Sequence, residues 1–412
     1  VRRWWGLIVV PFIFDIYITK KIPWSFWKKS KNPAVRSVMS WVDAIVFALV
    51  AVYFVNIYIF QNYQIPSSSL EKSLLVGDFL YVSKMSYGPR VPNTPLSMPL
   101  AQHTLPVFNT KSYIEWPQWK YKRVPGFGKV KLNDIVVFNF PAGDTVAVNY
   151  QQTTDFYTLA YGEGQRIYSK QIEMDSLTRS QQRAIYDLYY DAGRKQILNN
   201  PRTYGEVLWR PVDRRENYVK RCVGLPGDTL QIVDGQVMID GKAIQNPENL
   251  QINFFVQTTG PYIPEDMLRE LGISKDDTML IEDSGWEGGL LDMGLDNRNA
   301  QGKLNPVYHL PLTKKMYDTL LGNKKLISKI VMEPEEYAGQ MYPLNLYTKW
   351  NRNNYGPIWI PAKGATITLT EDNLPIYERC IVAYEGNKLE VKPDGIYING
   401  EKTNEYTFKM DY

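Results

Sequence analysis

The feature that most constrains this chain is an apolar run near its N-terminus. Residues 41–60 read WVDAIVFALVAVYFVNIYIF, and Asp43 is the single charge among them. A helix of about 20 apolar residues is long enough to cross the hydrocarbon core of a bilayer. The alternative, a buried helix in a soluble core, is disfavoured because the run is apolar on all faces. In addition, Trp41, Tyr53 and Tyr58 include positions typical of a membrane interface. We therefore predict a transmembrane helix.

The segments before this run predict its orientation. Residues 20–40 carry six lysine or arginine residues and no acidic residue, and the positive-inside rule places such a loop in the cytoplasm. The helix then runs outward, and the chain after residue 60 is expected outside the cytoplasm. In the segment of residues 1–19, the run from Trp4 to Thr19 is also apolar, but it is shorter, and Pro11 and Asp15 interrupt it. The end of a first transmembrane span and a re-entrant piece are both open interpretations. A cleaved signal peptide is not expected, because no small-residue cleavage site follows the long run.

Composition argues against several functional classes. The net charge is +4, and no long basic run has the spread of a nucleic-acid footprint, so we expect no nucleic-acid partner. Two histidines, His103 and His309, are few for a His-dependent triad or a multi-His metal site. We expect neither a metal nor a cofactor. Cys222 and Cys380 do not form a disulfide framework, and whether they pair is open, as is the oligomeric state.

Beyond residue 60 the pattern is mostly β. Short β-branched runs punctuated by Gly, Pro and Asn lie at residues 79–82, 134–140, 218–223 and 229–232. The clearest helical pattern, residues 176–192, is polar enough to lie on a surface. We predict a membrane-anchored, mostly β protein with these divisions: a core of residues 61–246 with an insert at about 142–215, a large β-rich insertion of residues 247–361, and a β unit of residues 362–412 that returns to the core.

Two stretches of the chain are similar to each other. Residues 221–242 run from Arg-Cys-Val through a leucine to Asp-Gly and Ile-Asp-Gly. Residues 379–400 run from Arg-Cys-Ile through a leucine to Asp-Gly and Ile-Asn-Gly. Asp-Gly and Asn-Gly between β runs predict hairpin turns. Two hairpins that meet the same turn requirement are one interpretation; a duplicated β unit is the one we favour, although Glu378 stands where the first copy has Lys220.

Three stretches in order along the chain carry a family resemblance. Residues 64–78 read QIPSSSLEKSLLVGD, residues 133–138 read NDIVVF, and residues 218–228 read YVKRCVGLPGD. These resemble the conserved boxes of bacterial type I signal peptidases, and the third pattern is long and quite specific to that family. The predicted topology agrees independently, because a basic loop and a span lead directly into the serine-rich box.

The resemblance implies a role for three residues. Ser69 is the implied nucleophile, Lys220 the general base, and the Ser67 hydroxyl with the Ser69 backbone N–H the oxyanion hole. An ordinary lysine, with a pKa of about 10.4, is charged at neutral pH and cannot accept a proton. Burial among apolar groups lowers that pKa, and a neutral lysine can then serve as the base of a Ser–Lys pair. Arg221, on the opposite face of the strand, is expected to form a structural ion pair.

The resemblance also implies a substrate groove. Shallow apolar pockets would accept the small residues of the A-x-A pattern that ends a signal peptide. An extended substrate would add as a strand along residues 64–67 and 217–219. Ordinary core packing is the alternative explanation for Leu74, Leu80 and Val137. The implied lining residues are Tyr63, Ile65, Pro66, Leu70, Leu74, Leu80, Val137, Tyr218 and Val219.

The sequence departs from the family pattern in two places. The family's serine box reads Ser-x-Ser-Met-x-Pro-Thr, whereas Leu-Glu-Lys-Ser follows Ser69, so the turn lacks the rigidity of proline. A later box, G-D-N-R-x-N-S-x-D-S-R, whose serine normally hydrogen-bonds the lysine, has only poor matches at residues 297–299 and 351–354. Because a strand-like run at residues 406–410 lies just before the end of the sequence at Tyr412, we expect truncation before that box, an edge or gap where a strand should pair, and poor cleavage.

Two other functional classes fit parts of the sequence. Ser69 and Lys72 match the S-x-x-K motif of penicillin-binding enzymes, in which the lysine lies one helical turn after the serine, but S-D-N and K-T-G are absent. A membrane-tethered β module that binds exported chains without cutting them is the non-enzymatic alternative. The interpretation we favour is a signal peptidase-like serine endopeptidase of the bacterial cytoplasmic membrane. It would face the periplasm or cell exterior, contact the lipid bilayer and cut preproteins.

Overall fold

The computed structural model describes residues 15, 19, 21, 25–105, 108, 110–151, 154–168, 177–345 and 347–412. The apolar segment predicted at residues 1–19 therefore lies outside the described residues, apart from Asp15 and Thr19. The α-helices of the described part are α1 Pro33–Tyr58, α2 Phe156–Tyr168, α3 Arg179–Asn199, α4 Pro201–Tyr204, α5 Glu265–Leu271, α6 Glu287–Asp292, α7 Lys314–Gly322 and α8 Leu374–Arg379.

The strands are short, as the β-branched runs predicted. They are β1 Phe60–Gln64, β2 Phe79–Ser83, β3 Arg90–Val91, β4 Lys122–Arg123, β5 Ile135–Asn139, β6 Thr145–Ala147, β7 Val207–Trp209, β8 Asn217–Arg221, β9 Thr229–Val233, β10 Gln236–Ile239, β11 Lys242–Ala243, β12 Ile252–Thr258, β13 Met279–Ile281, β14 Val307–Leu312, β15 Ile327–Met332, β16 Tyr355–Trp359, β17 Thr366–Thr368, β18 Leu389–Lys392, β19 Gly395–Ile398, β20 Glu401–Lys402 and β21 Glu405–Thr407. The described chain is β-rich.

Helix α1 is long and apolar enough to cross a membrane, and none of its residues is buried. It begins at Pro33 rather than at the predicted residue 41, and it ends at Tyr58 rather than at residue 60. The Asn32 side chain accepts a hydrogen bond from the Ala34 N–H at 2.9 Å, and proline is well suited to the first helical position. The helix therefore begins at this cap, N-terminal to the apolar run that starts at residue 41.

The described chain forms two compact units. One holds the described residues up to Asn62 together with Tyr81–Gly128, and the other holds Tyr63–Leu80 and Lys129–Tyr412. The first unit contains α1 and the paired strands β3 and β4. The second contains the sheets that position the site described below.

Residues 252–332 of the second unit have a hydrophobic core of their own. Strands β13, β14, β12 and β15 form an antiparallel sheet in that order. On one face, Val256, Leu310 and Leu320 are buried in a cluster to which α5 and α7 also contribute. On the other face, Phe255 and Leu295 anchor a second cluster. Because both faces of the sheet are covered, this part of the predicted insertion mixes strands and helices. Strand β16, which lies near the end of the predicted insertion, pairs with β9.

Helices α2 and α3 pack closely against each other within residues 142–215. The predicted surface helix at 176–192 is α3, which begins after a capping box formed by Thr178 and Gln181. Ser176 lies outside the described residues. The prediction of a surface position was only partly right, because Tyr189 and Ile197 are fully buried. Helix α2 was not predicted from the sequence, since two glycines interrupt its helical pattern.

The two similar stretches both fold as three-stranded meanders, β9–β10–β11 and β18–β19–β20. The residues before them differ, because Lys220 lies in strand β8 whereas Glu378 lies in helix α8. The Glu378 carboxylate pairs with Arg183 of α3 at 2.7 Å. Near residue 406, where an edge or gap was predicted, β21 forms an antiparallel ladder with β17. The sheet has these two strands, so the other edge of β21 has no partner strand among the described residues.

Candidate active site

A closed loop presents the serine-rich box. The Ile65 N–H donates to the Asp78 carbonyl and the Gly77 N–H donates to the Ile65 carbonyl, each at 2.9 Å, so the two ends of the loop lie together. Within it, Ser68–Leu70 form a single 3-10 turn. Ser69 is the middle residue of this turn and is exposed. The loop therefore holds the Ser69 hydroxyl where a substrate could reach it.

Strand β8 places Lys220 by pairing with β5. In this antiparallel ladder Val136 lies opposite Lys220 and Phe138 lies opposite Tyr218. Side chains directly opposite each other share a face, and successive side chains alternate. Lys220 and Tyr218 therefore share one face of the ladder with Val136 and Phe138, and apolar groups flank the lysine on this face.

The Lys220 Nζ donates a hydrogen bond to the Ser69 Oγ. The two residues are 151 positions apart in the sequence, so the fold itself brings them together. Lys220 is half-buried, and burial lowers the pKa of its ammonium below the ordinary value because desolvation disfavours the charged form. A lysine whose pKa is lowered, in contact with a serine hydroxyl, has the arrangement that a Ser–Lys nucleophile and base require.

The residues of the predicted oxyanion hole lie at the start of the same turn. Ser67 is exposed and has extended backbone angles, φ −142° and ψ 155°, immediately before the turn. The first N–H groups of a helical turn have no acceptor within the helix. The Ser69 N–H and the Ser67 hydroxyl therefore lie close together in the chain as hydrogen-bond donors, which is the arrangement that their predicted role in an oxyanion hole requires.

Lys72, the lysine of the rival S-x-x-K motif, points elsewhere. Its Nζ donates to the Gly272 carbonyl, and its backbone is left-handed, with φ 69°. In an S-x-x-K site the lysine lies one helical turn after the serine. Here the 3-10 turn ends at Leu70, so the helix does not continue to Lys72, and the contact of Ser69 is with Lys220.

The predicted pocket residues separate into groups. Tyr218 is on the face of Lys220, and its ring stacks on Phe140 with centroids 4.5 Å apart. Val137 and Val219 face each other across the ladder, on the face opposite Lys220. Ile65 is only 3% exposed, whereas Pro66 is exposed. The other lining residues, Tyr63, Leu70, Leu74 and Leu80, are half-buried.

The Arg221 side chain makes two hydrogen bonds to neutral groups. Its guanidinium donates to the Asn133 carbonyl at 3.0 Å and to the Ser73 Oγ at 3.1 Å. Both acceptors are neutral, so the arginine ties the serine-bearing loop to the β5–β8 ladder through hydrogen bonds. These contacts are structural, as expected for Arg221, and the ion pair stays a prediction.

A cavity of about 280 Å³ next to Tyr218 was not predicted. It is lined partly by Phe140 and Tyr218 and partly by residues of the 142–215 insert, including Asp155 and the buried Arg210. Arg210 forms an ion pair with Glu216 at 3.2 Å. No local sequence signal indicated that the insert approaches the strand that carries Lys220. Among the described residues, no cluster of His, Cys, Asp and Glu could hold a metal ion.

Comparison with known proteins places the chain in a family. The family described as "Signal peptidase, peptidase S26" matches residues 38–254, which are more than half of the chain and include both Ser69 and Lys220. The chain belongs to the S26 family of signal peptidases. The prediction made from the three boxes is thereby confirmed at the level of the family.

Individual relatives match shorter stretches. Signal peptidase I of Haemophilus influenzae is 35% identical over 65 residues, which are 16% of this chain and 19% of that protein. Signal peptidase I of Aquifex aeolicus is 54% identical over 39 residues, 10% of this chain and 15% of that protein. Signal peptidase I of Buchnera aphidicola subsp. Baizongia pistaciae is 27% identical over 133 residues, 32% of this chain and 34% of that protein. The chain thus matches between 15% and 34% of the length of these relatives. No solved structure matches it.

Proposed function

We propose that this protein is a signal peptidase I-like serine endopeptidase that removes signal peptides from exported preproteins. The observation that carries the proposal is the hydrogen bond between Lys220 Nζ and Ser69 Oγ, in a chain of the S26 family. The lowered pKa of Lys220 supports it, because the neutral amine is the form that can accept a proton.

The chemistry follows from this pair. The Ser69 Oγ attacks the carbonyl carbon of the scissile peptide bond while its proton passes to the neutral Lys220 Nζ. The Ser69 N–H and the Ser67 hydroxyl stabilise the oxyanion, and removing one such donor costs about 3–4 kcal/mol in other serine proteases. Lys220 then protonates the leaving amine of the mature protein. In the second half of the reaction it deprotonates the water that hydrolyses the acyl-enzyme.

The substrate would bind as an extended strand beside the loop and β8. Tyr218, on the lysine face, would contact the small residues of an A-x-A signal peptide, with backbone hydrogen bonds supplied along residues 64–67 and 217–219. Val137 and Val219 lie on the face opposite Lys220 and would line the groove only for a substrate that reaches that face. Leu74 and Leu80 remain candidates for the pocket wall.

The location we propose is the bacterial cytoplasmic membrane. Helix α1, with every residue unburied, would span the bilayer, and the lysines and arginine of residues 20–40 would remain in the cytoplasm. The catalytic unit would then lie on the periplasmic or outer face.

The rival acyl-serine enzyme of the penicillin-binding type is disfavoured by the contact of Lys72 with Gly272.

An experiment distinguishes the proposed endopeptidase from the third class, a binding module without catalysis. Membranes that contain the full-length gene product are incubated with a radiolabelled preprotein, and the mature fragment is quantified. The unmodified protein is expected to process the precursor, and Ser69→Ala is expected to insert normally but to process none. Processing by Ser69→Ala would exclude Ser69 as the nucleophile, and no processing by the unmodified protein would favour the binding module.

A further inference from the structure

The insertion of residues 247–361 makes direct contacts with the serine-bearing loop. The Ser68 Oγ, adjacent to Ser69, donates to the Asp277 Oδ1 at 2.7 Å. The other Asp277 oxygen accepts from the Ser274 Oγ at 2.8 Å, so the carboxylate is itself held in place. No motif in the insertion indicated a chemical role, and no local pattern connected these residues with the loop.

A second set of contacts holds Lys72, two residues after the turn ends at Leu70. The Lys72 Nζ donates to the Gly272 carbonyl, and the Asn249 Nδ2 donates to the Lys72 carbonyl at 3.1 Å. Gly272 ends helix α5 in a left-handed conformation. A Cβ at this position would lie 2.4 Å from the Lys72 Nζ, so the glycine allows the lysine to approach the backbone.

Lys72 stands where the family's serine box has proline. Its φ of 69° is one that proline cannot adopt, because the ring fixes φ near −65°. A left-handed, non-glycine residue is strained unless its surroundings hold it. In this chain Lys72 is held by its contacts with Gly272 and Asn249.

We propose that the segment 272–277 of the insertion is a positioning element for the nucleophile. It fixes the loop on both sides of Ser69, through Ser68 immediately before it and Lys72 three residues after it, so that the Ser69 Oγ stays within hydrogen-bond distance of the Lys220 Nζ. This inference rests on the proposed function. Ser68, Lys72 and Asp277 are positioning residues, since their contacts are with one another and with the insertion rather than with Lys220.

The proposal predicts a kinetic signature. Ser68→Ala removes and Asp277→Asn weakens the same hydrogen bond between these two side chains, and a hydrogen bond is worth about 0.5–1.5 kcal/mol. At about 1.4 kcal/mol per tenfold change in rate, kcat should fall about two- to tenfold. KM and the pH at half-maximal rate should stay unchanged, because neither variant alters the substrate strand or the environment of Lys220. Ser68→Thr, which keeps the hydroxyl, should restore kcat.

The experiment compares cleavage of a peptide with an A-x-A signal end by the detergent-purified full-length protein and its variants. Lys275→Ala is the matched control, because Lys275 lies on the same segment and pairs with the exposed Glu265; its kcat should be unchanged. The double variant of Ser68 and Asp277 should be no slower than the slower single variant. Thermal melting checks that each variant is folded.

The outcomes are distinguishable. If Ser69→Ala cleaves the peptide, or if the unmodified protein does not, the proposed function fails, and this inference fails with it. If the unmodified protein cleaves and Ser69→Ala does not, the positioning variants decide. Unchanged kcat in Ser68→Ala and Asp277→Asn, additive losses in the double variant, or a change confined to KM would overturn the positioning role while leaving the proposed function intact.

Discussion

The close packing of α2 on α3 makes a quantitative prediction at Gly164. A Cβ built on this residue would lie 1.7 Å from the Tyr189 carbonyl oxygen of the facing helix, and one on Gly193 would lie 1.8 Å from the Ala160 carbonyl oxygen. Atoms this close cannot coexist, and the obstacle is helix backbone rather than a flexible side chain. Gly164→Ala must therefore move the two helices apart.

The magnitude follows from two opposing effects. Overpacking a well-filled interior costs up to about 3 kcal/mol, and replacing glycine by alanine within a helix gains about 1 kcal/mol. The net effect of Gly164→Ala should be a loss of about 2 kcal/mol. Gly162 is the matched control because it lies in the same helix, one position beyond Tyr161, and a Cβ added to it would meet no atom within 4 Å. Gly162→Ala should gain about 1 kcal/mol.

The assay is urea unfolding of both variants in detergent, with hydrogen exchange of residues 156–199 to localise the change. The expected difference between the two variants is about 3 kcal/mol, and Gly164→Ala should raise exchange in both helices. If Gly164→Ala is as stable as Gly162→Ala, the helices do not approach as closely as the structure places them, and close packing is not the reason for a glycine at position 164.

Three further predictions concern ionisable groups and topology. Because burial lowers the pKa of Lys220, its charged form is disfavoured in the fold, so Lys220→Met should melt at a higher temperature than the unmodified protein at pH 7. Between the lowered pKa and 10.5, Lys220 holds a proton in the unfolded chain but not in the folded one, so the stability of the unmodified protein rises with pH. The difference in melting temperature between Lys220→Met and the unmodified protein should therefore shrink over this range, and a difference that does not change with pH would contradict the prediction. Burial raises the pKa of the Cys380 thiol to about 12, so in a Cys222→Ser variant alkylation at pH 8 should be at least about a hundredfold slower than that of free cysteine; equal rates would show an accessible thiolate. Protease added to intact spheroplasts should digest the chain after Phe60, and protection of that region would reverse the proposed orientation.

The sequence predicted what local patterns encode. Ser69 and Lys220 were predicted as a pair because three boxes in order resemble one family, and the two side chains meet only in the folded chain. The strands near residues 135, 218 and 229 were predicted because short β-branched runs between turn residues usually form strands. The start of α1 was placed eight residues late because hydropathy ignores the cap at Asn32 and Pro33.

Other features depend on contacts between distant segments, and no local signal reports them. Helix α2 was missed because Gly162 and Gly164 weaken its helical pattern, whereas close packing on α3 requires a glycine at position 164. The hydrogen bond between Ser68 and Asp277 joins residues 209 positions apart. Similar hairpin motifs predicted the two meanders, but the residues before them fold differently, because Glu378 is held by Arg183 in a helical setting.

The proposed mechanism rests on Ser69 as nucleophile and Lys220 as its base. The most direct test is to trap the acyl-enzyme with a serine-directed lipopeptide inhibitor and to map the adduct by mass spectrometry. We expect the adduct on Ser69 in the unmodified protein and in Lys72→Met, and none in Lys220→Met. An adduct on another serine, or an adduct that survives Lys220→Met and is lost in Lys72→Met, would contradict the assignment.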